Sequence, residues 1–386
     1  MRSAPYYETE SGAAYVGDSR KLLKELPADS IDLICTSPPF ALLREKEYGN
    51  PSADDYIDWF KPFLKQFRRV LTDEGSFIID LGGSWQKGKP YRSLYQYKFL
   101  IELCEEKEDE SEKTSVENEE EEKSEDLPWR GWHLAQELYW YNPAKLPTPA
   151  EWVTIRRIRV KGALNTVWWL RPTDYVDEKG GKVSNRKVLK PYSDAQKNLM
   201  ENGYNKERRP SDHDPSDVWG EDNDGAIPPN LLEDRDFELE AGDSVFTTAP
   251  EDDPREPVNV ISASNTASNT PYHQLCTAHG IERHPARFPR DLPEFAIKLT
   301  TDEGDVVLDP FAGSNMTGKE AQRAGRQWIA FDMEEKYLKG SVFRFPELYC
   351  DRDKEGPSGD QESEEYHPDV EQEDSEQPDL FRPKAE

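Results

Sequence analysis

The sequence predicts an α/β fold organised on a mainly parallel sheet. Short apolar runs suited to strands buried on both faces alternate with segments whose apolar residues recur at helical spacing, and near the C-terminal end a strand, a helix and a strand follow as a βαβ unit. Small or rigid residues stand just past two of those strands, where sheets of this class hold their ligands.

The first strand is Ile31-Asp32-Leu33-Ile34-Cys35-Thr36, closed by Pro38-Pro39. Over residues 56–71, Ile57, Phe60, Phe63, Leu64, Phe67, Val70 and Leu71 fall on one helical face, and Asp73-Glu74-Gly75 ends the helix. Residues 76–81 are a second strand, residues 305–309 a third and residues 327–332 a fourth, with a helix between the last two. The 386 residues suffice for one large α/β domain with an inserted region, or for two domains.

No stretch approaches the roughly 18–20 apolar residues of a membrane helix, and the start carries no apolar leader, so a soluble, cytoplasmic chain is expected. Cys35, Cys104, Cys276 and Cys350 lie far apart with no CxxC pair, and are expected reduced. Cys276 and His279 have no second pair at ligand spacing, so no metal site is expected.

Past the third strand runs Asp309-Pro310-Phe311-Ala312-Gly313-Ser314-Asn315, where small residues let backbone approach a ligand and the next helix offers free N–H groups. Asp332 ends the fourth strand, where a carboxylate can accept hydrogen bonds from ribose hydroxyls. Both features also suit tight turns of purely structural purpose. Past the first strand, Thr36-Ser37-Pro38-Pro39-Phe40 is stiffened by its prolines. It suits a planar acceptor: the Ser37 hydroxyl and a main-chain carbonyl meet an amino group, and Phe40 offers a stacking face. A strand ending in a proline turn is the plainer reading.

Together these residues resemble the amino-group DNA methyltransferases. Ser37-Pro38-Pro39-Phe40 is similar to their catalytic motif in its N4-cytosine form; N6-adenine members usually carry Asp-Pro-Pro-Tyr or Asn-Pro-Pro-Tyr. Asp309 to Ser314 resembles the S-adenosylmethionine motif, and His284-Pro285-Ala286-Arg287-Phe288-Pro289 the segment before it. Gly17-Asp18-Ser19 resembles the adenine-ring contact, Phe331-Asp332 the ribose-binding strand end, and Trp140-Tyr141-Asn142-Pro143 a later motif near the target base.

The order, catalytic motif early and cofactor motif late, is that of the beta class. The resemblance therefore implies a circularly permuted, Rossmann-like S-adenosylmethionine-dependent methyltransferase fold with an inserted recognition region. It implies Ser37, Pro38, Pro39 and Phe40 as catalytic residues, and Asp18, Phe288, Asp309, Phe311, Gly313, Ser314 and Asp332 as cofactor contacts. The chemistry implied is direct transfer to a flipped cytosine with no covalent enzyme intermediate, so Cys35 has no catalytic part. Trp140 or Tyr141 could stack on the base, though Trp140 reads better as core. Where the family motif usually continues Gly-Thr-Thr, this chain has Asn315-Met316-Thr317, and Asn tolerates left-handed backbone angles better than most residues. An N6-adenine enzyme and a degenerate protein that only binds DNA are the alternatives.

On this reading residues 1–103 and 127–181 are the catalytic half, 275–349 the cofactor half, 104–126 an acidic insertion and 350–386 an acidic tail. Residues 182–274, irregular and locally basic, are assigned to target recognition by elimination. Arg186 and Arg208 there, and Arg156 and Arg157 in a run to Lys161 that alternates as a strand, are candidate contacts to double-stranded DNA. A net charge of −29 sits oddly with a phosphate backbone. A high-salt cytoplasm resolves it, because at molar salt the screening length falls to about 3 Å; a substrate other than nucleic acid is the rival account. With that composition the chain looks like a haloarchaeal orphan methylase of the CTAG-modifying kind. The tail segment Gln377-Pro378-Asp379-Leu380-Phe381 resembles the short peptides that bind a sliding clamp.

Overall fold

The computed structural model describes residues 1–41, 49–105, 128–142, 145–177, 181–188, 231–233, 271–285 and 288–350. Among these residues, nine strands form one sheet: β1 (Tyr7–Glu8), β2 (Gly12–Val16), β3 (Ile31–Thr36), β4 (Leu71–Leu81), β5 (His133–Tyr141), β6 (Leu164–Arg171), β7 (Leu231–Glu233), β8 (Val306–Asp309) and β9 (Gln327–Asp332). Their order across the sheet is β1-β2-β9-β8-β3-β4-β6-β5-β7. The run from β2 to β4 is parallel throughout, and β1 and β6 flank it antiparallel. This is the expected α/β class, with helices α1 (Ser19–Leu22), α2 (Tyr56–Val70), α3 (Tyr95–Cys104), α4 (Pro271–Ala278), α5 (Asp291–Thr300), α6 (Met316–Arg323) and α7 (Glu335–Ser341).

From Leu33 on, the central strands alternate between two cores because successive side chains leave a strand on opposite faces. Ile34 of β3 and Phe77 and Ile79 of β4 pack with the aromatic face of α2, namely Tyr56, Phe60, Phe63 and Phe67. Leu33, Cys35 and Ile78 enter the other core with Leu292, Ala296 and Ile297 of α5. A continuous apolar run in sequence is thus a strand covered on both sides.

β4 starts earlier than expected. Leu71 already pairs with Ile31 directly after α2, and the chain bulges before Ser76 pairs with Leu33. The Asp73-Glu74-Gly75 break therefore lies inside the strand, because Leu71 buries itself in the ladder ahead of it.

At the β2–β9 contact Gly12 lies opposite Trp328, and a Cβ on it would stand 2.3 Å from the Trp328 carbonyl oxygen and 2.4 Å from its indole. Backbone cannot yield as a flexible side chain would. Gly12→Ala is expected to lose about 1–3 kcal/mol of stability, seen as a lower Tm in calorimetry.

What positions a site is the middle of the sheet. Leu33 and Ile34 of β3 pair with Val307 and Leu308 of β8, so two strands far apart in sequence are neighbours. From this pair the chain proceeds outward in opposite directions, from β3 to β4 on one side and from β8 to β9 on the other. Reversals of this kind open a crevice beyond the strand ends, and ligands of open α/β sheets bind there.

The basic run from Arg156 to Lys161 is not a strand, contrary to its alternation. Glu151–Ile155 is a wide helical turn, Arg157 has φ 54°, and β6 begins only at Leu164. Alternation without a pairing partner does not make a strand; here Arg156 turns back to an ion pair with Glu151 at 2.6 Å. Among the described residues no helix is long and apolar enough to cross a membrane.

Candidate active site

Asp309 ends β8 fully buried and is held from three directions. Thr36 Oγ1 donates to its Oδ1 at 2.6 Å, Thr317 Oγ1 to its Oδ2 at 2.7 Å, and the Phe311 amide to Oδ1 at 3.1 Å. Burial pushes this carboxyl up to about 6 against those donors. The bond from Thr36 ties the end of β3 to the end of β8, so the residue before Ser37 and the first residue of the 309–315 turn touch.

Beyond Asp309 the backbone turns left-handed at Gly313, φ 51°, and again at Asn315, φ 52° and ψ 49°. Asn315 caps α6: its Oδ1 accepts from the Gly318 amide at 3.0 Å, and its Nδ2 donates to Tyr7 Oη at 2.9 Å. The departure from the family motif thus falls where the backbone needs a left-handed residue, and Asn supplies both that angle and the cap.

The other loops of this pole close on the turn. Asp332 Oδ2 accepts from the Gly313 amide at 2.7 Å and Oδ1 from the Glu334 amide at 2.8 Å. Burial raises its carboxyl to about 6, and those two amides oppose the rise. Ser19 Oγ donates to the Pro310 carbonyl at 2.6 Å, and the Gly17 amide to the Asp332 carbonyl at 2.9 Å. Asp18 caps α1 and forms a forked ion pair with Arg20, which lowers its carboxyl from the usual range. Ser314 is buried and held by Arg344, whose Nη2 donates to Ser314 Oγ at 3.2 Å. Phe311 sends its ring toward α2, 5.0 Å from Phe63, and Phe288 packs half-buried on the opposite core.

These residues fit a nucleoside with a ribose diol. A carboxylate has about four acceptor positions, so Asp332, half-buried with two amides bound, keeps room for hydroxyl donors. The exposed thioether chain of Met333 beside it offers apolar surface for a ring.

Across the crevice, Ser37 Oγ donates to Asp80 Oδ2 at 3.1 Å. Asp80 lies near the end of β4 and is buried; burial raises its carboxyl to about 6, while Ser37, Lys145 and Asn165 favour the charged form. Its Oδ1 has no hydrogen-bond partner among the described residues. Pro38 is buried and Pro39 half-buried, and the Phe40 ring lies on Gly82, where an added Cβ would come within 2.4 Å of it. The Tyr95 hydroxyl donates to the Gly82 carbonyl from below. Cys35 is buried inside β3 and its thiol is pushed well up by burial. Trp140 is buried as core.

The structure does not bring every candidate here. Arg186 follows Lys182, whose Nζ binds Asp32 Oδ1 at 2.7 Å and Asp305 Oδ1 at 3.3 Å, at the amino ends of β3 and β8. Lys187 beside it binds the Thr301 carbonyl. Arg186 therefore stands at the pole opposite Ser37, about a strand length away, because these lysines dock the segment onto acidic residues there. Arg156 and Arg157 lie exposed in the connection from β5 to β6, on the Ser37 pole. Arg208, most of residues 182–274 and the Gln377 to Phe381 segment lie outside the described residues.

Asp80 was missed although it had a signal: an acid at the end of an apolar strand, as for Asp332. Asn165, Lys145 and Arg344 carried none, since only the antiparallel pairing of β6 with β4 and the packing after α7 bring them in.

The strand order and the crevice with its two facing turns define a Rossmann-like methyltransferase. The chain belongs to the DNA methylase family of N6/N4 methyltransferases, whose profile matches residues 31–343. It is 41% identical over 344 residues to the type II methyltransferase M.PvuII of Proteus hauseri, covering 88% of this chain and 85% of that protein. M.ScaI of Streptomyces caespitosus is 25% identical, covering 88% and 83%. The solved PvuII DNA methyltransferase, named as cytosine-N4-specific, aligns with a TM-score of 0.61 at 36% identity over 89% of each chain.

Proposed function

We propose that this enzyme moves a methyl group from S-adenosylmethionine to the exocyclic N4 of a cytosine in a short duplex DNA motif, after the base has left the stack. The observation that carries this is the Ser37–Asp80 pair, one residue along the chain from the bond that joins Thr36 to the turn at Asp309. A PvuII enzyme named for N4-cytosine and the Ser-Pro-Pro-Phe sequence support cytosine over adenine.

When bound, S-adenosylmethionine supplies an electrophilic methyl on sulfonium. Asp332, the Gly313-Ser314 turn, Phe288 and Asp18 would hold it; Asp309 and Phe311 act behind them, one fixing the turn and the other anchoring it to α2. Because Ser37 gives its own proton to Asp80, its lone pairs are free to accept an amino N–H. As the new N–C bond forms, the nitrogen loses a proton; Ser37 Oγ can take it while passing its own to Asp80. Pro38 and Pro39 hold this hydroxyl still, and Phe40 gives the base a face. No thiol takes part.

Arg156 and Arg157 are proposed to meet phosphates, with residues 182–274 reading the sequence. The acidic composition supports a cytoplasm of molar salt; a CTAG target, and a tail that meets a sliding clamp through Gln377 to Phe381, are further readings. Modification mapping of DNA from cells carrying wild-type protein or Ser37→Ala tests the core claim. N4-methylcytosine at one motif, reduced about 10²-fold or more in single-turnover rate by Ser37→Ala, is expected. N6-methyladenine in its place supports the adenine reading, and unmodified DNA the degenerate one.

A further inference from the structure

Lys145 is an unusual cation. It sits in the connection from β5 to β6, half-buried, and burial lowers its ammonium from the usual range. Asp80 is buried nearby and attracts it, yet the two do not pair directly. Lys145 Nζ instead donates to Asn165 Oδ1 at 2.8 Å, and Asn165 lies on the same face of the sheet as Asp80, diagonal to it across the β4–β6 pairing.

The order of this chain has a physical sense. A lysine ammonium only donates and a carboxylate only accepts, so with its oxygen on Lys145 the Asn165 amide keeps its N–H groups for the side of Asp80, whose Oδ1 has no hydrogen-bond partner among the described residues. With a neutral amide interposed, the positive charge acts on Asp80 while Oδ2 stays with Ser37.

We propose that Lys145 is a positioning residue for methyl transfer, holding the Asp80 carboxylate ionised and aimed at Ser37 through Asn165. The proposal rests on the reaction assigned above. The other groups that face Asp80 cannot replace it. Cys35 on β3, Tyr56 on α2 and Tyr95 on α3 are neutral near pH 7, and an anion on Asp80 only makes them harder to ionise. Arg92 acts on Lys145 as a like charge and lowers it further.

The test uses full-length Lys145→Met, which keeps the stem without the charge, and Lys145→Arg, which keeps the charge. Single-turnover methylation is followed across pH, and the Asp80 carboxyl is titrated by carbon-13 NMR in protein without donor or DNA, assigned with Asp80→Asn. Loss of a nearby opposite charge moves a carboxyl by about one unit or more. For Lys145→Met the acid limb and the Asp80 titration should both move up by about that much. Its rate should fall about fivefold at pH 6 and recover to within about twofold of wild type at pH 8.5, while Lys145→Arg stays near wild type. If Lys145→Met does not fold, Asn165→Leu breaks the same relay and should move the Asp80 titration likewise. An unchanged Asp80 titration, or a rate loss equal at every pH, overturns the proposal. Wild-type protein that methylates no DNA would instead defeat the assigned reaction and leave the titration to decide the coupling alone.

Discussion

Replacing Asp80 with Asn is expected to slow methyl transfer by about 10²–10³-fold, within the range that proton transfer by a placed side chain contributes, while donor binding stays intact. Asn keeps the shape and can still accept from Ser37, but it cannot take up the proton that leaves the amino group. The pH dependence separates this from a packing defect. With the Asp80 carboxyl at about 6 in the folded protein, the wild-type rate should be flat above that pH and fall about tenfold per unit below it. Asp80→Asn should lose this acid limb. Single-turnover rates from pH 5 to 8.5, with donor binding measured by calorimetry, decide it; an Asn variant keeping the wild-type limb would remove Asp80 from the reaction.

The second large effect belongs to Asp309. Asp309→Ala leaves two buried hydroxyls, of Thr36 and Thr317, and the Phe311 amide without their acceptor. Each orphaned buried donor costs about 1–3 kcal/mol, and loss of the carboxylate's own burial penalty offsets part of this, so a loss of about 2–4 kcal/mol is expected. Because those bonds join β3 to the donor turn, donor affinity should fall as well. The pH sign differs from that of an ordinary salt-bridged carboxylate. Asp309 has a folded value raised to about 6 from 3.8, so between these the folded state binds more protons than the unfolded chain. Its contribution to stability is greatest below about pH 4 and is lost as pH rises through 6. Asp80 and Asp332 share the direction and the window. Thermal unfolding at pH 5 and 8 should show Asp309→Asn, a neutral near-isostere, with a smaller gain on acidification than wild type.

Much of this was legible in the sequence because the strands are buried on both faces. The middles of residues 31–36, 305–309 and 327–332 are mostly apolar, so they announced themselves, and the polar residues at their carboxyl ends, Ser37, Asp309 and Asp332, mark the crevice. The left-handed turn at Asn315 could also be anticipated from its side chain. The Arg156 to Lys161 run misled because a period of two says nothing without a partner strand to pair with. Arg186 misled because a basic residue in an acidic chain has carboxylates of its own to meet, and Lys182 and Lys187 beside it find them at Asp32 and Asp302. Lys145 and Asn165 were silent for another reason: their partner on β4 is distant in sequence, and only the antiparallel β4–β6 pairing sets them beside it.

The pairing of β2 with β9 and of β3 with β8 also bears on how the enzyme is made. A ribosome delivers the acceptor side first, and β2 and β3 then wait, each with an open edge, until β8 and β9 emerge. Contacts that span most of a polypeptide close late and slowly. A product cut short before β8 therefore carries the serine without the cradle for its methyl source, and the cell meets no active modifier until β8 and β9 are made.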